Sequence, residues 1–363
     1  MRVALVIYGS LDTLSGGYLY VRRLVEHLRR RGHTVDVVSL PWRSYAAHLA
    51  DNLRPTWRRT LRELHADLLL EDELNHPSLA WMPKPAGVPV VAIVHHLRSS
   101  EEHPAPLRPL YRAVERRYLR RVDGCLYNSA TTRAAAARLL GGNRGALSNA
   151  PPGVVAFPAG NHLLRAASLS LHEADAPRPQ PPPLRLLAAG SVIPRKNIHT
   201  LLDALAQTPP AACTLDVAGS LTADPAYAAA LRAQIARLGL GERVRLHGAL
   251  PDAGLARLYA ASHLFALPSY EGFGIVYLEA MSYGLPVIAS SAGAAHEIVT
   301  HGLDGYLVAP GDAATLAAHL RALAADPALL AAMSEAARAR FARHPTWDET
   351  FSEAAAWLED LAQ

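Results

Sequence analysis

Cysteine is nearly absent. Cys125 and Cys213 are the only two in 363 residues, each alone in an apolar, strand-like run. That excludes a disulfide framework and a cysteine-based zinc site, and it makes a reducing cytoplasm the expected compartment. Long hydrophobic runs are missing too: none approaches the ~18–20 apolar residues that cross a bilayer. The opening "MRVALVIYGS" lacks a small-residue cleavage site and reads as a first buried strand, not a signal peptide. Aromatics are few, 6% of the chain, and are not interleaved with the arginines, which argues against nucleic-acid binding. Lysine is scarcer still. Of 36 basic residues only Lys84 and Lys196 are lysines, so each is a candidate for a specific role.

What is present is half hydrophobic and long enough for two domains. The positive charge is concentrated in the first half, and the second half is acidic on balance. The segment "APRPQPPP", residues 176–183, is a stiff extended connector near mid-chain, where the charge balance changes. The expected organisation is a first domain at 1–176, a linker at 177–183, a second domain at 184–344 and a closing helical segment, 345–363, returning to the first. On each side of the linker, short apolar runs alternate with amphipathic stretches, the pattern of a parallel sheet wrapped by helices. The runs are Val3–Tyr8, His33–Leu40, Ala66–Leu70, Pro89–Val94, Gly124–Tyr127 and Gly153–Phe157, then Leu184–Ala189, Cys213–Ala218, Val244–Leu250, Leu264–Leu267, Pro286–Ala289 and Gly305–Val308. The expected fold class is therefore α/β, two facing doubly wound, Rossmann-like domains whose strand ends share an interdomain cleft.

Residues that suit an anionic or polyhydroxylated ligand follow these runs. In "LPSYEGFGIVYLEA" a strand ends in Glu271, and Gly272 and Gly274 bring bare backbone close to the start of a helix. The unpaired N–H groups of that first turn, around Phe273, Ile275 and Val276, suit phosphate or sugar oxygens. Glu271 is expected to face solvent, and Glu279 lies eight residues on. Upstream, "LLAAGSVIPRKNIHTLLDAL" gives a strand, then Gly190 and Ser191, then Arg195 and Lys196 before a helix, a cationic pair suited to a diphosphate. An ordinary charged surface loop is the alternative for that pair taken alone.

The ordered set of strand–Gly–basic loop, Glu-Gly-Phe-Gly, two glutamates with seven residues between them, "GLPVIASSAGAAHEIV" and "HGLDGYLVAPGD" resembles the family-4 glycosyltransferases (group 1) of the GT-B fold. The resemblance covers nearly the whole chain and is densest over Leu184–Asp312. It implies a retaining, metal-independent enzyme with no cofactor beyond its substrate, a nucleoside-diphosphate sugar such as a UDP- or GDP-sugar. It implies that Glu271 and the backbone near Phe273 and Gly274 hold the donor sugar, that Glu279 takes the ribose, and that Lys196 with Arg195 neutralises the diphosphate. Gly16 and Gly17 match the glycine turn that meets the phosphates. The family commonly has Arg where this chain has Ser191, and Arg195 is the expected substitute. Retention in this family needs no dedicated protein base.

His95, ending the Pro89–Val94 run, matches the family's histidine near donor sugar and acceptor. His96 and Arg98 follow it. "EDELNHPS" places Glu71, Asp72, Glu73, Asn75 and His76 at the neighbouring strand end, where they are expected to project into an acceptor pocket. This acidic cluster is not assigned a metal. The helix "LRPLYRAVERRYLRRVDG" carries an apolar stripe (Leu107, Tyr111, Val114, Tyr118, Val122) and a row of Arg108, Arg112, Arg116 and Arg120, so the face from Arg108 to Arg121 is either solvated or touches anionic lipid at the inner membrane surface. Two alternatives stay open. One is a phosphorylase or epimerase on a similar fold. The other, motivated by Ser191, is a nucleotide-sugar-binding protein with little or no turnover.

Overall fold

The computed structural model describes residues 1–101, 103–141, 149–160 and 183–363. The chain divides into two compact units, Met1–Pro158 with Pro345–Gln363, and Ala159–His344. The proline-rich connector expected at 177–183 lies outside the described residues as far as residue 182.

In the first unit β1 (Arg2–Tyr8), β2 (Thr34–Leu40), β3 (Leu68–Asp72), β4 (Val90–Val94), β5 (Gly124–Tyr127) and β6 (Gly153–Val155) form a parallel sheet ordered β2-β1-β3-β4-β5-β6. β3 and β4 are buried at every position, because crossover helices cover both faces of a parallel sheet. β2, at the edge, is largely exposed. In the second unit β7 (Leu184–Ala189), β8 (Cys213–Ala218), β9 (Val244–Gly248), β10 (Leu264–Leu267), β11 (Val287–Ser290) and β12 (Gly305–Val308) form a parallel sheet ordered β12-β11-β10-β7-β8-β9. Every apolar run read from the sequence is one of these strands.

Both sheets reverse their direction of growth once. From β1 the first sheet adds β2 on one side and β3 on the other. From β7 the second adds β8 and β9 on one side, then β10 on the other. Loops leaving the carboxyl ends diverge at such a switch point and leave a crevice, the usual ligand position in open α/β sheets. The loops that can hold a ligand are thus those after β1, β3 and neighbouring β4, and those after β7 and β10.

The helix Gly16–Arg30 follows β1. Ser15 caps it, its hydroxyl accepting the Tyr18 N–H at 3.3 Å. The closing helix Trp347–Leu361 starts from a capping box of Thr346 and Glu349 and buries Trp347, Phe351, Ala354, Ala355 and Leu358. Phe351 meets Tyr20 edge-on at 5.1 Å, and Glu359 accepts a two-pronged bond from Arg31 at 3.1 and 3.0 Å, which joins this helix to the first unit.

The arginine-rich helix spans Arg108–Leu119, shorter than the stretch expected. Leu107 belongs to a preceding 3-10 turn and is 40% exposed, so it drops out of the apolar stripe, while Tyr111, Val114, Tyr118 and Val122 are buried. Arg108, Arg112, Arg116 and Arg120 are exposed. Arg121 lies beyond the helix and turns inward, forking onto Glu71 at 2.7 and 3.0 Å, so it is no part of the basic face. Among the described residues no single helix is long and apolar enough to cross a membrane.

Candidate active site

In the second unit the loops after β7 and β10 converge. Gly190 has φ +142°, and a Cβ there would stand 3.2 Å from Lys196 Cε, so the missing side chain lets Lys196 fold over the strand end. Lys196 Nζ lies 2.5 Å from Glu271 Oε1. The Ser269 hydroxyl donates to the same oxygen at 2.6 Å. Arg195 Nη1 donates to the Tyr270 carbonyl at 2.7 Å and stands 3.6 Å from Glu271 Oε2. The main chain of Glu271 is fixed by the Ala294 N–H, which donates to its carbonyl at 2.9 Å. Burial alone would raise the Glu271 pKa. The charges of Lys196 and Arg195, with hydrogen bonds from Lys196 and Ser269, overcome that and hold it at about 2. The expectation of a solvent-facing Glu271 is therefore corrected. Its side chain is 12% exposed and Lys196 clasps it.

Gly274, at φ +101°, opens the helix Ile275–Ser282, whose N-terminus no side chain caps. Phe273 and Ile275 are buried, and the Phe273 ring packs 5.8 Å from His344. Glu279 belongs to a different network. It is 5% exposed and accepts the Tyr259 hydroxyl at 2.8 Å, with Tyr259 stacked between Phe265 and Tyr283. Gly190, Arg195, Lys196 and Glu271, spread over 82 positions of sequence numbering, thus meet in one place. Ser269 was missed by the sequence reading; its signal is a hydroxyl two residues before a carboxylate at a strand end.

In the first unit Gly17 at the helix start, Asp72 at the end of β3 and His95 after β4 come together. His95 Nε2 is 3.8 Å from Asp72 Oδ2, and the ring meets Tyr20 edge-on at 5.3 Å. Burial, then the nearby His96, lowers the His95 pKa to about 3, so its imidazole is neutral.

The acceptor-side expectation needs correcting. Glu73, Asn75 and His76 are 3%, 0% and 2% exposed and do not project outward. Glu71 is the carboxylate that Arg121 holds. Asn75, with its amide oriented to satisfy both ends, donates to the Asp72 carbonyl and accepts the Tyr8 N–H, each at 3.3 Å, and so clips the end of β1 to the end of β3. His76 Nδ1 donates to the Glu73 carbonyl at 2.9 Å, and its Nε2 is 3.2 Å from the Tyr45 hydroxyl. Glu73 and Glu115 are buried carboxyl groups close to each other; burial leaves the pKa of both high, and the charge of Glu73 raises that of Glu115 further. Ligand atoms of Glu73, His76 and Glu115 all lie within 4.8 Å, a spacing that would also accept a cation. His96, hydrogen-bonded to Glu101 at 2.8 Å, and Arg98, over the Tyr45 and Tyr111 rings, are more open. Glu115 went unread. It lies one turn after Tyr111, next to Val114 of the apolar stripe, and is buried with it.

This cluster makes stability pH-dependent. Burial raises Glu73 to about 8 and Glu115 to about 7. An acid whose folded pKa is raised gives stability that is present below its unfolded value and lost as pH climbs through the folded one. Buried His76 and His95, lowered to about 4 and 3, act oppositely, losing stability as pH falls below ~6.5. Between pH ~6.5 and ~8 only the carboxyl effect remains, so the melting temperature should decline over that range. Glu73→Gln should flatten the decline, as read by thermal melts at each pH. A wild-type profile that is flat there would show both carboxyls already ionised.

Residues 14–156 match the family model for Glycosyltransferase Family 4, and residues 173–340 match that for Glycosyl transferases group 1. A phosphatidyl-myo-inositol mannosyltransferase from Mycobacterium leprae (strain TN) is 29% identical over 367 residues, covering 93% of this chain and 92% of its own length. A D-inositol 3-phosphate glycosyltransferase from Thermobispora bispora is 36% identical over 176 residues, 46% of this chain and 40% of that one. Among solved structures, sucrose-phosphate synthase from Thermosynechococcus elongatus superposes with a TM-score of 0.78 at 22% identity, over 99% of this chain and 98% of that one. Anabaena Alr3699/HepE in complex with UDP-glucose gives 0.76 at 24%, over 99% and 100%. At these identities the two structures speak for the fold.

Proposed function

Since this chain belongs to the family-4, group 1 glycosyltransferases and shares their GT-B fold, we propose that it moves a sugar from a nucleoside diphosphate to an acceptor hydroxyl, with retention and without a metal ion. The observation that carries this reading is the Lys196–Glu271–Ser269 clasp, with Arg195 beside it, at the switch point of the second sheet.

In the proposed reaction the diphosphate draws Lys196 away from Glu271. The cation then meets the negative charge that grows on the leaving phosphate, where placed charge lowers the barrier most. Lys196 and Arg195 supply the positive charge that a metal supplies elsewhere. Glu271, released from Lys196 and steadied by Ser269, accepts sugar hydroxyls. Backbone donors from Gly272 to Val276 face the same ligand, Glu279 takes the ribose, and Gly190 and Ser191 leave room for phosphate oxygens. On the acceptor side His95, His96 and Arg98 are the contacts, with Glu73, Asn75 and His76 fixing the loop behind them. The leaving phosphate takes the acceptor proton.

The UDP-glucose held by Alr3699/HepE supports a UDP-sugar donor, and the names of the two relatives support a polyol or lipid-borne polyol acceptor. A lipid acceptor agrees with the exposed row Arg108, Arg112, Arg116 and Arg120 resting on an anionic cytoplasmic membrane surface. Ser191 favours the second reading, a binder with little turnover.

The test is nucleotide release from UDP-glucose and GDP-mannose, with and without myo-inositol or phosphatidylinositol vesicles, in EDTA. Acceptor-dependent release is expected. Tight donor binding without release under any condition would favour the binder.

A further inference from the structure

Among the described residues Asn197 is the one non-glycine with a positive φ, at +55° with ψ at +32°. It stands between the 3-10 turn Pro194–Lys196, which carries Arg195 and Lys196, and the helix Ile198–Ala206. Its N–H closes the turn on the Pro194 carbonyl at 2.9 Å, and its carbonyl accepts the Thr200 N–H at 3.2 Å. Glycine would take this left-handed backbone with less strain. What asparagine adds is an amide engaged at both ends. Oδ1 accepts the Thr200 hydroxyl at 2.7 Å, and Nδ2 donates to the Pro268 carbonyl at 3.2 Å.

Pro268 directly follows β10 and precedes Ser269, so the second of these bonds joins the Lys196 loop to the Glu271 loop. Three consecutive side chains thus span the two loops. Arg195 reaches the Tyr270 carbonyl, Lys196 the Glu271 carboxylate and Asn197 the Pro268 carbonyl. The ties differ in kind. The Lys196–Glu271 pair must open when the cation goes to a diphosphate, and Arg195, 3.6 Å from Glu271, is drawn by the same anion. The Asn197 bond joins two neutral groups, and an arriving negative charge does not compete for it.

We propose that Asn197 is a positioning residue, whose amide keeps the Lys196 loop in register with the Glu271 loop while Lys196 passes from Glu271 to the diphosphate. The inference rests on the transferase reading and adds to it a residue that touches no substrate. A cation that meets developing charge works through its placement. A loosened Lys196 loop therefore costs turnover more than donor binding, which many other groups share.

Asn197→Gly keeps the left-handed turn and removes both amide bonds. Asn197→Asp keeps the acceptor for Thr200 and replaces the donor to Pro268 with an oxygen. Nucleotide release from UDP-glucose and GDP-mannose is paired with calorimetry of the same nucleotide sugars and with thermal melts. In both variants kcat should fall about tenfold while donor affinity stays within about threefold, and Asn197→Gly should melt close to wild type. Parallel loss of kcat, affinity and melting temperature would make the residue structural only. Wild-type kcat in Asn197→Gly would make the tie idle. Either result overturns the proposal.

A separate readout covers failure of the transferase reading itself. Lys84 and Lys196 are the only lysines, so lysine-selective isotope labelling gives two Cε signals, and Lys84→Arg identifies the one from Lys196. In nucleotide-free Asn197→Gly the Lys196 signal should shift or broaden while that of Lys84 holds. A Lys196 signal identical to wild type overturns the proposal whether or not the chain is a transferase. A displaced signal in a chain that neither binds nor turns over a nucleotide sugar would keep Asn197 as the residue that places Lys196 and remove the transferase.

Discussion

Lys196→Met should lower the turnover of sugar transfer by roughly 100- to 1000-fold, the usual effect of removing one placed donor from a developing charge. The same substitution should destabilise the second unit by about 3–5 kcal/mol, because it leaves a buried carboxylate without its cation. Both effects come from one contact, Nζ at 2.5 Å from Glu271 Oε1 in a place where neither side chain is more than 12% exposed. A second substitution separates them. In Lys196→Met/Glu271→Gln no buried charge is left over, so urea melts should show most of the lost stability restored, with activity still absent. Glu271→Gln alone is the better probe of the carboxylate than Glu271→Ala, since it keeps an acceptor for Ser269. Arg195→Ala should cost less than Lys196→Met, as its guanidinium is 3.6 Å from Glu271 and partly exposed. If the double variant regained activity along with stability, the clasp would be structural and the diphosphate would be met elsewhere.

The strands were legible because a sheet covered on both faces writes itself as uninterrupted apolar runs, as in Leu68–Leu70 and Val90–Val94. The meeting of the residues proposed for the donor was legible for a related reason. Gly190, Arg195–Lys196 and Glu271 stand directly after strands, and strand ends at a switch point are where a doubly wound sheet holds ligands. The pairing of Lys196 with Glu271 was not legible, since 75 positions separate them and either charge alone looks like a surface residue. "EDELNHPS" misled in the other direction. Its polarity suggests exposure, yet Asn75 finds the Asp72 carbonyl and the β1 backbone, His76 finds the Glu73 carbonyl and the Tyr45 hydroxyl, and all three residues are buried. Polarity predicts exposure only where partners are missing. The Leu107–Gly124 stretch failed at its ends, because helical spacing continues on paper after the helix has stopped at Leu119.

Arg121 is where that failure has the largest consequence. Read as the last member of a basic face, it should tolerate substitution and affect only contact with anionic vesicles. The structure predicts otherwise. Glu71 is 0% exposed and the Arg121 side chain 8%; the guanidinium meets both carboxylate oxygens at 2.7 and 3.0 Å, and its Nε donates to the Met82 carbonyl at 3.0 Å. Arg121→Met should therefore destabilise the first unit by about 3–5 kcal/mol, since Glu71 is left charged and unpaired within the sheet's cover. Arg121→Lys should recover little, because an ammonium cannot reproduce a fork that bonds two oxygens and a carbonyl together. Arg121→Met/Glu71→Gln should recover more by removing the stranded charge. Asp72, the next residue of β3, points to the opposite side, so transfer assayed well below the melting temperature should stay within a few-fold of wild type. Urea melts and vesicle cosedimentation measured together decide the matter. Unchanged stability with weakened vesicle binding would return Arg121 to the surface row.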